Sequence, residues 1–249
     1  MDKKKFIDFN IDLGDVTLDS GLCNSLIDAS SSISIPFAFD SANPFAIKKV
    51  IELCKFKHKV IGASIVLPDE IENPLELSDE EVESIVLYQL GAINAFASAE
   101  SMNIEYVRTR GVMYQLMSEN LGFCKKVANA VKKFNKWLLL YGPAGNILKE
   151  AADFASLNVA HEVCLANASL TDFLSSDKLD NAPQLNRLKR LMNQSEIEVN
   201  DGDYKKIYFD TIHFDCKKND ILDLFSEAKN IVNSRPVNFN NAATSGWVE

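Results

Sequence analysis

The chain has 249 residues, close to the length of a single β/α barrel, and 47% of them are hydrophobic, which is ample for a large core. Its formal charge of -9 argues against an extended nucleic-acid-binding face, because phosphate binding needs clustered cations. No apolar run approaches the ~20 residues of a membrane span, and no signal-peptide pattern opens the chain.

The cysteine and glycine content bears on the redox state of the thiols and on nucleotide binding. The five cysteines are odd in number and never spaced C-x-x-C, which favours reduced thiols in a cytoplasmic protein. Glycine is scarce, at ten residues, and neither G-x-x-x-x-G-K-[ST] nor G-x-G-x-x-G occurs. Backbone amides usually need glycine to close on a phosphate, so we expect the chain not to bind a nucleotide by itself.

Strands and helices are predicted to alternate along the chain. Apolar and polar residues alternate over 6–13, which predicts a strand with Asp8, Asn10 and Asp12 on one side. The clearest helix begins after Ser78, which forms a capping box with Glu81, and it ends before the polar residues 101–103. In chain order, the predicted strands are 6–13, 32–39, 60–66, 104–107, 137–141, 159–165 and 207–214, and the other predicted helices are 18–30, 44–57, 122–134, 146–155, 183–192 and 220–231.

This order of elements predicts the fold class. Strand alternates with helix about seven times without internal hairpins, with turns at 108–111 and 199–202, which indicates a parallel sheet curled into a barrel. We expect one barrel domain over residues 1–234. An irregular tail, 235–249, either packs against the barrel through Trp247 or is loose.

Four segments contain specific sequence motifs in addition to the hydrophobic periodicity. They are FNIDLGD (9–15), VLYQLGAINAF (86–96), YVRTRGVMYQ (106–115) and YGPAG (141–145). The chain resembles the LamB/YcsF family, the A subunit of bacterial 5-oxoprolinase, whose versions read LNCDLGE, VLYQIGAL-AF, HVKPHGALYN and YGLAG. The resemblance covers roughly residues 5–233 and is weak only over 170–198.

The resemblance implies a fold and an activity. The fold is a TIM-like (β/α) barrel of about seven parallel strands, related in architecture to polysaccharide deacetylases. The activity is the opening of 5-oxoproline to glutamate with ATP consumption, together with the B and C subunits. No cofactor is expected on this chain, and ATP is expected on the partner subunits if the protein is active.

The scaffold residues match the family, but its proton-handling residues do not. Asp40 and Ser64 stand where the family has histidine, and Arg108 and Arg110 stand for its Lys and His. DTIHFDCK takes the place of DTICVHGD, so that Asp215 also replaces a histidine. Arginine does not deprotonate in proteins and an unshifted aspartate is a weak base at neutral pH, so these groups are poor substitutes.

The substitutions look mutually compensating, because Asp40 and Asp215 gain carboxylates while Arg110 and Lys217 gain cations. We expect Asp40, Arg110 and Asp215 to form a closed ionic plug, since a buried charge left alone costs about 3–5 kcal/mol.

The candidate catalytic residues are Asp12, Asp40, Arg108, Arg110, Glu162 and Asp215. The candidate substrate-binding residues are Asn10, Asn43, Ser64, Asp69, Tyr114 and Gln115, and no metal site is predicted.

Three functions remain open from the sequence. The first is a non-catalytic relative that binds the B and C subunits or another protein, and the second is a working 5-oxoprolinase A subunit. The third is a hydrolase of another small amide or sugar derivative, with Asp12, Asp40 and Asp215 as acid, base or ligands of Mg²⁺ or Ca²⁺. Zinc is not expected, because His161-Glu162 is not part of H-E-x-x-H; His161 reads as a hydrogen-bonded structural histidine.

Overall fold

The computed structural model describes residues 6–13, 21–37, 43–165, 181–200, 203–214, 221–231 and 233–234. The strands are β1 (Phe6–Asp12), β2 (Ser32–Pro36), β3 (Val60–Ile65), β4 (Ile104–Thr109), β5 (Leu139–Pro143), β6 (Val159–Cys164), β7 (Glu196–Asn200), β8 (Asp203–Lys206), β9 (Thr211–Phe214) and β10 (Asn233–Ser234). The helices are α1 (Gly21–Ala29), α2 (Pro44–Phe56), α3 (Asp79–Ala99), α4 (Gly111–Glu119), α5 (Leu121–Phe134), α6 (Asn146–Ala155), α7 (Asn181–Gln194) and α8 (Ile221–Ile231), with a 3₁₀ turn at Pro74–Glu76.

Seven parallel strands close into a barrel. They pair in the order β1-β2-β3-β4-β5-β6-β9, and β9 pairs back onto β1. The short β10 pairs in parallel with the amino-terminal end of β1, at Phe6 and Ile7. Because all seven strands run the same way, their carboxyl ends meet at one mouth, where barrel enzymes carry their active sites. The predicted seven-stranded (β/α) barrel is confirmed.

The helices cover the barrel with their apolar faces, and α3 is capped as its sequence predicts. The predicted capping box on α3 is present, with the Ser78 side chain accepting from the Glu81 amide and the Glu81 carboxylate accepting from the Ser78 amide. Val86 and Leu90 are among the fully buried residues on the inner face of α3. Within the described parts of the chain, no helix is both long enough and apolar enough to cross a membrane.

The structure departs from the predicted elements in three places. β7 and β8 form an antiparallel hairpin, so the expectation of no internal hairpin is wrong. The last barrel strand starts at Thr211 because the Ile207 amide bonds back to the Ser195 carbonyl at 2.7 Å, on the hairpin side. The predicted turn at 108–111 is instead the end of β4 followed by α4.

Gln89 joins α3 to the end of β3. Its Nε2 donates to the Val66 carbonyl at 2.9 Å and to the Ile85 carbonyl at 3.0 Å, and its Oε1 accepts from the Val66 amide at 2.9 Å. Gln89 is itself fully buried on an otherwise apolar face. The chain just after β3 thus has its backbone groups satisfied by a side chain rather than by a sheet neighbour.

Replacing Gln89 by leucine is expected to lower the free energy of unfolding by about 1–3 kcal/mol, because both Val66 backbone groups lose their partner. Urea unfolding followed by circular dichroism would measure the change. Gln115→Leu is the matched control, since the one side-chain bond of Gln115, to Glu119, is exposed; its effect should stay within about 0.5 kcal/mol. Equal stabilities of the two variants would contradict this role.

Candidate functional site

Polar side chains fill the barrel interior. The period-2 alternation of β1 turns Asp8, Asn10 and Asp12 into the barrel, as the sequence predicts, and each lies one layer nearer to the mouth. Each of them bonds to side chains from neighbouring or opposite strands. The interior therefore consists of three hydrogen-bonded layers that end at the mouth.

The lowest layer is built around Asp8, which is fully buried. Its Oδ1 accepts from the Ser31 hydroxyl at 2.7 Å, and its Oδ2 accepts from the hydroxyls of Ser32 at 2.8 Å and Thr211 at 2.9 Å. Burial raises the pKa of Asp8 to about 6, because the hydroxyl bonds only partly offset the loss of water around the charge.

The middle layer is centred on Asn10. Its Nδ2 donates to Ser32 Oγ and to the Tyr106 hydroxyl, both at 2.7 Å. Its Oδ1 accepts from Ser34 Oγ at 2.9 Å and lies 3.1 Å from His213 Nδ1. Asn10 thereby connects the buried Asp8 layer to an imidazole on β9.

The upper layer is an ionic cluster of three residues from three strands, Arg108, Glu162 and Asp12. Arg108 Nε donates to Glu162 Oε1 at 3.0 Å and Oε2 at 2.8 Å, and its Nη1 donates to Asp12 Oδ2 at 3.1 Å. Ser64 Oγ also donates to Asp12 Oδ2, at 3.3 Å. The side chains of Glu162 and Arg108 are 0% and 5% exposed, whereas that of Asp12 is 23% exposed. Asp12 is therefore the member that faces solvent.

Burial and mutual attraction set the charges of these groups. Burial is the largest single influence on the pKa of Asp12 and raises it, but the Arg108 guanidinium, together with smaller contributions from His213, Arg110 and the Ser64 hydroxyl, holds that pKa below its usual range. Burial alone would lower the pKa of Arg108, but the carboxylates of Glu162 and Asp12 raise it, so Arg108 stays cationic. Burial, with help from Arg108, lowers the pKa of His213 to about 3, so that this imidazole is neutral at physiological pH.

Two further predicted residues lie at the rim of this cluster. Arg110 reaches from the end of β4 towards β2, and its Nη2 donates to the Phe37 carbonyl at 3.1 Å. The Tyr114 hydroxyl donates to the Glu162 backbone carbonyl at 3.3 Å, and its ring centroid is 5.7 Å from Arg108 Cζ. The structure thus brings together seven of the predicted residues: Asn10, Asp12, Ser64, Arg108, Arg110, Tyr114 and Glu162.

The remaining predicted residues are not in this group. Asn43 caps α2, because its Oδ1 accepts from two amide groups of the first turn. Asp69 is exposed on the loop after β3, and Gln115 bonds to Glu119 on the outside of α4. Asp40 and Asp215 lie outside the described residues, so the plug around Arg110 stays a prediction, and so does a metal site that includes them. Among the described residues, no group of three His, Cys, Asp or Glu side chains is placed to hold a metal ion.

His213, Thr211 and Tyr106 are not among the site residues predicted from the sequence. The alternation within Thr211–Phe214 already places Thr211 and His213 on one side of the strand, which is a usable signal. Tyr106 likewise lies on the same side of β4 as Arg108. Its ring stacks on that of Tyr141 with centroids 4.1 Å apart. Their meeting with Asn10 depends on closure of the barrel, which local patterns do not specify.

His161 has the structural role expected of it. Its Nδ1 accepts from the Gly145 amide at 3.4 Å, and its ring meets Tyr208 edge-on with centroids 5.8 Å apart. Burial, and to a lesser extent Lys149, lowers its pKa to about 4. It lies on the opposite side of β6 from Glu162 and takes no part in the cluster.

Comparison with known proteins fits this geometry. The model of the LamB/YcsF family matches residues 7–245. The chain belongs to the LamB/YcsF family. The A subunit of 5-oxoprolinase from Oceanobacillus iheyensis is 29% identical over 218 residues, which cover 83% of this chain and 85% of that protein. The corresponding A subunit from Bacillus licheniformis is 26% identical over 218 residues, 83% of this chain and 86% of that one.

A solved family structure has the same barrel. The lactam utilization protein from Thermus thermophilus superimposes with a TM-score of 0.77 and 25% identity, over 94% of this chain and 100% of that one. The LamB/YcsF membership and the barrel predicted from the sequence are both confirmed.

Proposed function

We propose that this LamB/YcsF protein has lost the ability to open 5-oxoproline and acts as a non-catalytic binding protein. The observation that carries the proposal is that one guanidinium, Arg108, holds both Glu162 and Asp12. Opening an amide ring requires proton transfer to or from the reacting atoms. In the described part of the barrel mouth, the carboxylates that could provide it are instead bound to a permanent cation.

The other groups near the mouth are also poorly suited to proton transfer. Arg108 and Arg110 do not deprotonate. Ser64 donates to Asp12, whose lowered pKa makes it a weak base. An imidazole with a pKa of about 3, as in His213, is far from the neutral optimum of a general acid or base. A site with this chemistry can bind a ligand more readily than it can transform one.

The relatives suggest what the protein binds on its outside. The similar proteins of Oceanobacillus iheyensis and Bacillus licheniformis are each named as the A subunit of an enzyme, which implies partner subunits. This chain covers more than four fifths of their length. We therefore include the B and C subunits of a 5-oxoprolinase as candidate partners, with ATP bound on those subunits rather than here.

An active A subunit is the second candidate. It is favoured by Asp12, which is partly exposed at the mouth and keeps one carboxylate oxygen, Oδ1, without a hydrogen-bond partner among the described residues. This oxygen is itself buried, and a carboxylate oxygen without a partner is where a substrate hydrogen could be received. The two candidates differ in turnover, which can be measured directly.

We expect no ATP-dependent release of glutamate from 5-oxoproline when the purified chain is mixed with B and C subunits. The same B and C subunits, combined with the A subunit from Oceanobacillus iheyensis, are the positive control. Size-exclusion chromatography of the mixture tests association separately, because a non-catalytic member can still bind its partners. Glutamate release at a rate comparable with the control would refute the loss of activity.

A further inference from the structure

The part of the chain that forms β3 and α3 is strongly acidic. No lysine or arginine stands between Lys59 and Arg108, whereas ten aspartates and glutamates do. Lysines of α2 and α5 pair with three of these carboxylates at 2.5–3.8 Å. Five others are exposed and make no ion pair with another described residue; they are Asp69, Glu70, Glu72, Glu76 and Glu80.

The five unpaired carboxylates lie beside the first half of α3. Gln89 Oε1 accepts from the Val66 amide at 2.9 Å, so the chain leaves β3 next to the middle of α3. It reaches the start of the helix at Ser78, about 16 Å away along the same axis. Residues 67–77 therefore follow the amino-terminal half of α3, and Lys126 Nζ holds their end by donating to the Leu77 carbonyl at 2.5 Å.

Three large apolar side chains are exposed at the same end of α3. Leu75 lies within the acidic loop and is 53% exposed, Tyr88 of α3 is 60% exposed, and Phe45 in the first turn of α2 is 84% exposed. The ion pair of Lys55 with Glu100 aligns the far ends of α2 and α3, which places Phe45 and Tyr88 at nearly the same height, within about one helical turn. Single exposed apolar residues are ordinary, but a group of them marks an interaction site.

The charge of this region indicates what kind of molecule covers it. We call Phe45, Leu75, Tyr88 and the five unpaired carboxylates the acidic face. It repels nucleic acids and anionic membranes, which are themselves negatively charged. A second copy related by a two-fold axis would bring the same negative surface to both sides of the contact. A protein surface with lysine or arginine side chains around an apolar centre complements it.

We propose that the acidic face is the surface through which this chain binds a partner protein, and that the partner presents basic side chains around an apolar centre. Tyr88 and Leu75 supply the apolar contact, and the carboxylates orient the partner and speed its association. The inference rests on the proposed binding function. It places the binding on the outer side of α3 rather than at the ionic cluster inside the barrel.

Binding of the B and C subunits to the full chain, followed by surface plasmon resonance, tests the contribution of charge. Glu70→Lys/Glu72→Lys/Glu76→Lys is expected to weaken binding about tenfold or more at low salt and to remove most of its salt dependence. The matched control is Asp153→Lys/Asp223→Lys/Glu227→Lys, which changes the net charge equally at exposed, unpaired carboxylates of α6 and α8. Its affinity should stay within about twofold of the wild type.

A second pair of variants tests the apolar contact. Tyr88→Ala is expected to weaken binding about tenfold or more, because buried tyrosines carry a large share of interface energy. Phe154→Ala removes an equally exposed aromatic ring from α6, 61% exposed, and should leave binding unchanged. Circular dichroism of each variant shows whether its fold is retained.

Absence of binding to the B and C subunits, or a variant of the acidic face that binds as well as its control, would overturn the inference. A dimer of the chain alone that Tyr88→Ala dissociates would also overturn it, because a second copy would then cover the face. Failure of the proposed function would show instead as glutamate release from 5-oxoproline, so the two failures are distinguishable.

Discussion

Arg108→Met is expected to lower the free energy of unfolding by about 3–5 kcal/mol at neutral pH, because it leaves two carboxylates facing each other without a cation. Glu162 is fully buried, and both of its carboxylate oxygens accept from Arg108 Nε. Asp12 retains only the Ser64 hydroxyl among its described side-chain donors. Urea unfolding at pH 7 would measure the loss.

Two comparisons test whether the unpaired carboxylates cause the loss of stability in Arg108→Met. Arg108→Met/Glu162→Gln also removes the more deeply buried of the two carboxylates that Arg108 binds and should recover part of the stability. Lys133→Met breaks an exposed ion pair with Glu83 and should change stability by no more than about 0.5 kcal/mol. The loss in Arg108→Met should also shrink at low pH, since a protonated Glu162 needs no cation. An Arg108→Met protein as stable as the wild type would rule out an ionic cluster that supports the fold.

The barrel could be predicted from the sequence because its signals are local. Strand and helix periods alternate in the right number, and the pattern of β1 alone places Asp8, Asn10 and Asp12 on one face. The sequence does not predict the hairpin of β7 and β8, because its two strands are largely polar and resemble a turn with irregular neighbours. It lies outside the barrel and leaves the order of the barrel strands intact.

The ionic cluster around Arg108 is not predicted from the sequence, which favours a different cluster of Asp40, Arg110 and Asp215 because these positions gain opposite charges relative to the family. Asp40 and Asp215 lie outside the described residues, so that cluster stays a prediction. In the structure β4 continues to Thr109, so Arg108 has the same inward parity as Tyr106 and meets Glu162 and Asp12. Arg108 therefore lies within the strand rather than in the predicted turn at 108–111, and its side chain is enclosed by the barrel.

The role of His213 could not be read from its surroundings in the sequence. Its hydrogen-bond partner, Asn10, is 203 residues away and becomes a neighbour only when β9 pairs with β1. A single histidine in a four-residue strand reads as a packed core residue by default. The burial that lowers the pKa of His213 is likewise a property of the assembled barrel rather than of any segment.

The same network links two buried titratable groups whose effects on stability oppose each other. Asp8 has a folded pKa of about 6, above its usual value, so its contribution to stability is full below pH 4 and is lost as pH rises through 6. His213 has a folded pKa of about 3, below its usual value, so its contribution is full above pH 6.5 and is lost as pH falls towards 3. Between pH 4 and 6.5 each contribution changes by about 3 kcal/mol, in opposite directions.

We therefore expect each single substitution to produce a dependence of stability on pH that largely cancels in the wild type. Relative to the wild type, Asp8→Asn should gain about 3 kcal/mol of stability as pH rises from 4 to 6.5, because it no longer carries a buried carboxylate that must ionise. His213→Cys should lose about 3 kcal/mol relative to the wild type over the same rise, because it has no imidazole that is released from protonation. Urea unfolding at several pH values would give both difference curves.

The double variant Asp8→Asn/His213→Cys is the internal control for this pair. With both groups removed, its stability should run parallel to that of the wild type across the same pH range, whatever constant offset the lost hydrogen bonds impose. A single variant that also runs parallel would mean that its group titrates normally in the folded protein. That result for His213 would place a protonatable imidazole beside Asp12 at neutral pH, and the case against proton transfer at the barrel mouth would then fail.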